Sequence, residues 1–98
     1  MSTRRSRAVR LLLTCDLRDP LCPFRIFGTL SAYRTEIRTS TVERDAESGV
    51  VDLDIEIGLA DSGKGHLQLL LNELMQLPNA RLVGAMVDGD FMSFGTKK

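Results

Sequence analysis

The chain has 98 residues, 13 of them basic and 13 acidic, so its formal net charge is zero. That length supports one modest core rather than two domains, and the balanced charge excludes the whole-chain basic footprint of a nucleic-acid binder. An apolar share of 43% excludes a disordered or collagen-like chain, two Cys exclude a disulfide scaffold, and an apolar run no longer than Leu11–Leu13 excludes a membrane span.

The neutral total conceals an asymmetry. Residues 1–44 hold nine Arg against Asp16, Asp19, Glu36 and Glu43, while residues 45–98 hold nine acids against Lys64, Arg81, Lys97 and Lys98. Such a division favours self-association or docking, unless a compact fold brings the two halves together.

Met1–Leu13 starts basic and turns apolar, in imitation of a secretory leader, but the apolar stretch is short and Arg10 breaks it. We read 1–7 as a basic tail and place the chain in the cytoplasm, with both thiols reduced. Ala8–Cys15 is the first strand, with Val9, Leu11, Leu13 and Cys15 on one face. Asp16–Pro23 is a loop, and Asp19-Pro20 can open a helix by capping and by a pre-set φ. The first helix runs from Pro23 to Arg34, where Phe27, Leu30 and Tyr33 or Arg34 fall at helical spacing with Ile26 alongside; Gly28 weakens it unless close packing requires it.

Glu36–Arg44 is rich in β-branched residues and polar, hence an edge strand. After the turn at Asp45–Gly49, Val51, Leu53, Ile55, Ile57 and Leu59 alternate with Asp52, Asp54, Glu56 and Gly58, which defines a strand buried on one face. The two strands form an antiparallel hairpin. Ser62 is a candidate N-cap for a second helix, striped by Leu67, Leu70, Leu71, Leu74 and Leu77 and stopped by Pro78. Ala80–Val87 is the last strand of the core pattern, Asp88-Gly89-Asp90 turns, and 91–98 is a tail or a short added strand.

The order strand–helix–strand–strand–helix–strand is that of an α+β ferredoxin-like βαββαβ sandwich over residues 8–90. It predicts a four-stranded antiparallel sheet in the order fourth, first, third, second, with both helices on one face. Leu11, Leu13, Leu53, Ile55 and Ile57 lie under the helices. Arg10, Arg38, Asp52, Asp54 and Glu56 lie on the open face.

Few constellations carry chemistry. Asp52, Asp54 and Glu56 stand about 7 Å apart along one strand face, where cross-strand ion pairs with Arg10 and Arg38 are the expected role. Gly58-Leu-Ala-Asp-Ser-Gly63-Lys64-Gly65 approaches a phosphate loop but has Gly65 where the Mg²⁺-binding hydroxyl belongs. Ser62, Gly63 and Lys64 remain a candidate anion site at a helix start. The single His66 builds no triad and no metal site, and is expected to face solvent. Cys15 is expected to be buried packing, and Cys22 a loop thiol open to reaction. The strand Val50–Leu59 has no aromatic residue for stacking bases and three acids that repel phosphate. Arg18 alone is thin support for the phosphate cradle of an acylphosphatase. No cofactor and no metal are implied.

Two passages resemble the ACT domain, a ferredoxin-like regulatory module. Leu30–Val42 looks like the family's helix-one end and second strand. Leu70-Leu71-Asn72-Glu73-Leu74-Met75-Gln76-Leu77-Pro78-Asn79-Ala80-Arg81-Leu82-Val83 looks like its second helix and last strand, in the form found in ppGpp synthetase/hydrolases, MgtC-type proteins and the acetohydroxyacid synthase small subunit. The resemblance implies dimers or higher homo-oligomers, and a small ligand, often an amino acid, where the first loop meets the first helix. Carried onto this chain, that site comprises Asp16, Arg18, Asp19, Leu21 and Cys22. Leu21 stands where the family pattern has Gly, which narrows the approach of a ligand to the backbone. The expected role is therefore a non-catalytic regulatory module that self-associates and modulates a partner enzyme or transporter, with amino-acid sensing as an added function. The alternatives are a stand-alone small-molecule or anion sensor and, more remotely, an acylphosphatase-like enzyme.

Overall fold

The structure is a computed structural model and describes residues 6–60 and 65–93. The elements run β1 (Ser6–Asp16), α1 (Cys22–Ala32), β2 (Glu36–Asp45), β3 (Val50–Ala60), α2 (His66–Met75), β4 (Ala80–Val87) and β5 (Asp90–Ser93). The sheet order is β2-β3-β1-β4-β5, antiparallel throughout. The first four strands take the expected order, and a fifth strand extends the expected four-stranded sheet. Its cause is local. Asp88 and Gly89 both have positive φ, 51° and 90°, and form a two-residue turn that pairs Val87 with Asp90. An Asp-Gly pair between strand-forming residues favours this hairpin because its twist matches that of the strands it joins.

β1 is central, paired with β3 over its full length from Ser6 opposite Ala60 to Asp16 opposite Val50. The strand thus begins two residues before Ala8, inside the stretch read as tail. The remaining expectations for 1–5 and 94–98 lie outside the described residues.

The core follows the alternation. Val9, Leu11, Leu13 and Cys15 from β1 and Val51, Leu53, Ile55 and Ile57 from β3 are buried beneath Cys22, Ile26 and Leu30 of α1 and Leu70, Leu71 and Leu74 of α2. Leu82 and Ala85 of β4 complete it. The spacing of Cys22, Ile26 and Leu30 places one side chain per helical turn against the sheet. No close packing demands Gly28, because a Cβ built there meets nothing within 4 Å. The helix therefore carries the propensity cost of that glycine, about 1 kcal/mol relative to Ala, without a packing return.

α1 closes through Arg34, which takes φ 59° while Thr35 N–H and its hydroxyl both donate to the Leu30 carbonyl. α2 starts after Gly65 at φ 94°. His66 does not simply face solvent: it is half-buried, its Nε2 lies 3.2 Å from the Tyr33 carbonyl oxygen, and its ring packs against Tyr33 at 5.5 Å. This contact joins the start of α2 to the end of α1.

β2 lies outside the helical cover, with all ten residues exposed. Its composition explains this, since Ile37 and Val42 are its only large apolar residues. The open face is as expected. Arg10 stands opposite Glu56 in register but reaches diagonally to Asp54, donating from Nε to Oδ1 at 2.8 Å and from Nη2 to Oδ2. Arg38 reaches that face through a bulge between Ile37 and Thr39 and lies over Gly58, where a Cβ would come within 2.6 Å of its guanidinium. Arg10 and Asp54 also show that β1 and β3 join the basic and acidic halves of the sequence.

A candidate ligand cleft at the first loop

Three connections meet at one end of the sheet. Asp16 N–H donates to the Asn79 carbonyl at 2.9 Å, which ties β1 to the turn before β4. Leu17 N–H donates to the Gly49 carbonyl at 2.9 Å, which ties the first loop to the β2–β3 turn. Asn79 takes φ 62°, a left-handed conformation that Asn tolerates better than most residues. Between these connections lies a cleft of about 590 Å³, lined among others by Asp16, Arg18, Ser48, Gly49, Asn79 and Arg81.

The five residues singled out for this loop divide into two groups. Asp16 and Arg18 line the cleft and pair with one another, at 3.1 Å between Nη2 and Oδ2. Hydrogen bonds from the Arg18 side chain and backbone hold Asp16 below the usual carboxylate range. Asp19, Leu21 and Cys22 are outside the lining. The Asp19 carboxylate is filled from within: Asn79 Nδ2 and Arg25 Nη1 each donate to Oδ2 at 2.8 Å, and Leu21 N–H donates to Oδ1 at 3.1 Å. Its role is to fix the loop and the first turn of α1, whose N-cap position is Leu21. Leu21 is exposed. Cys22 is not the open loop thiol expected from its neighbours in sequence; it is fully buried on the first turn of α1, because Pro23 one residue later is compatible with a helix start. Ser62, Gly63 and Lys64 lie outside the described residues.

Sequence reasoning missed Asn79, Arg25 and Arg81. Asn79 had a legible signal, since Pro-Asn before a strand marks a turn at which Asn can turn left-handed. Arg25 and Arg81 had none, because their roles depend on tertiary neighbours. Among the described residues Arg81 has no ion-pair partner, so it is the cleft's uncommitted cation.

A second hollow, of about 390 Å³, lies on the open sheet face beside Arg10, Thr39, Asp54 and Glu56. Asp54 there is bound to Arg10 and held below the ordinary carboxylate range by that hydrogen bond. A general acid at neutral pH needs the opposite shift. Arg18 pairs with Asp16 and is, with Arg81, one of the two cations that line the first-loop cleft. Among the described residues no group of three or more His, Cys, Asp or Glu side chains is placed to hold a metal, and no helix is long and apolar enough to cross a membrane.

The depressed carboxylates predict acid sensitivity. Asp19 lies low mainly because of Asn79 and then Arg25, and Asp54 because of Arg10. Stability from a depressed carboxylate is fully present above its unfolded value, about 3.9 for Asp, and is lost as pH falls through its lower folded value. Thermal melts across that acid range should show falling stability, with a shallower fall in Asp19→Asn. An identical fall in wild type and variant would mean that Asp19 is not linked to folding.

A five-stranded sheet with two helices on one face, and a cleft where the first loop meets the sheet end, give an α+β fold of ACT-like architecture. No protein-family model matches the chain, and no curated protein matches it in sequence. Solved structures do. An uncharacterised protein of Thermotoga maritima superposes with TM-score 0.66 at 11% identity, covering 85% of this chain and 98% of that one. The ACT domain from GTP pyrophosphokinase of Chlorobium tepidum gives 0.58 at 19% identity, with coverage of 87% and 99%. The C-terminal domain of the MgtC protein from Mycobacterium tuberculosis gives 0.62 at 10% identity, with both chains covered completely. The neighbours thus include an ACT domain and an MgtC C-terminal domain, two of the groups that the sequence resembles.

Proposed function

We propose that this chain is a non-catalytic regulatory module that self-associates and modulates a partner enzyme or transporter in response to a small carboxylate-bearing ligand such as an amino acid. The observation that carries this reading is the ACT-like fold with its β2 edge exposed along ten residues. An edge strand presents a row of N–H and C=O groups to any chain able to pair with it. Ile37 and Val42, 39% and 50% exposed, offer apolar area on that strand.

The ligand belongs in the first-loop cleft. Arg81 supplies the cation for a carboxylate, and Asp16 with Arg18 supplies one partner of each sign. Asp19, Leu21 and Cys22 shape the loop from outside the cleft lining. The expected result of a thermal-shift screen of the twenty amino acids is a rise for one or a few of them, equivalent to about 2.7 kcal/mol at a hundredfold excess over Kd, and lost in Arg81→Ala. No shift with any amino acid would contradict the sensing role.

A further inference from the structure

Cys15 and Cys22 meet under the first loop. Cys15 ends the buried face of β1 and Cys22 opens α1, and their Sγ atoms lie 2.7 Å apart. That is closer than two non-bonded sulfurs ordinarily approach, and within about 0.7 Å of the ~2.05 Å disulfide bond. Both are free thiols in this structure, both are buried, and Cys22 Sγ also lies 3.4 Å from the Asn79 carbonyl oxygen. The packing needs only two small apolar groups here. Two sulfurs brought nearly to bonding distance across a six-residue loop provide a specific covalent option as well.

We propose that Cys15 and Cys22 form a reversible intramolecular disulfide by exchange with a low-molecular-weight disulfide such as oxidised glutathione. One cysteine attacks the small disulfide, forms a mixed disulfide and releases one small thiol. The other attacks the mixed disulfide at the protein sulfur, closes the Cys15–Cys22 bond and releases the second small thiol. The protein loses two electrons and two protons, and the reagent gains them as two thiols. The bridge clips the end of β1 to the start of α1 and closes Asp16–Leu21 into a covalent ring. Burial makes the first attack depend on opening of the loop, which Leu21 and Arg18 leave exposed to solvent. Closure, once begun, needs little movement.

The test uses the wild-type chain. It is incubated with oxidised glutathione, freed of the reagent, unfolded in denaturant that contains an alkylating agent to trap the remaining thiols, and digested with trypsin without reductant. Cleavage after Arg10, Arg18 and Arg25 separates Leu11–Arg18 from Asp19–Arg25, each with one cysteine. The expected product is these two peptides joined, lighter than their sum by two hydrogens and separated by reductant. In Cys15→Ser the reaction should stop at a glutathione adduct on Cys22. Two alkylated peptides, or two glutathione adducts without linkage, overturn the proposal.

Discussion

Ile55→Ala is expected to cost about 2–5 kcal/mol, since it removes three carbons from a site too well packed to collapse fully. Ile55 is 0% exposed, lies opposite Leu11 on β1 and faces the helices from β3, which is paired on both sides. A domain of this size is stabilised by only about 5–15 kcal/mol, so the loss is a large share of the total. Urea denaturation should show a lower midpoint with the slope retained. Leu53→Ala, two residues earlier on the same face and 1% exposed, should behave alike. A cost below about 1 kcal/mol at both sites would mean that the buried face of β3 is assigned wrongly.

Asn79→Ala is the second expected large effect, and it acts through the backbone and the cleft together. Alanine at φ 62° carries about 1–2 kcal/mol of left-handed strain that Asn partly escapes. The substitution also removes the Nδ2 donor from the Asp19 carboxylate. Asn79→Gly separates the two effects, because Gly accepts the conformation but still lacks the amide. Denaturation midpoints should fall in the order wild type, Asn79→Gly, Asn79→Ala. Equal values for the Gly and Ala variants would show that conformation contributes nothing, and equal values for all three would remove Asn79 from the loop's support.

Much of the fold was legible because it rests on periodicity. The alternation from Val51 to Leu59 and the Leu70, Leu71, Leu74 stripe are local patterns, and each led to the correct face. The pattern leaves β5 open because four residues carry too little of it, although Asp88-Gly89 holds the turn signal. The cleft was less legible. The sequence marks a loop at Asp16–Pro23, but it does not show that the Asp19 carboxylate is occupied by Arg25 and Asn79, the latter sixty residues away. Nor does it show that Cys22 turns inward to Cys15, since one helical residue decides which way that side chain points.

Self-association is the central claim, and solution mass measured by light scattering from low to high micromolar concentration tests it most directly. The ACT-like reading predicts a dimer or a higher oligomer across that range, formed through surface that includes the exposed β2 edge. A mass of 10.9 kDa at every concentration, with and without the amino-acid pool, would contradict it.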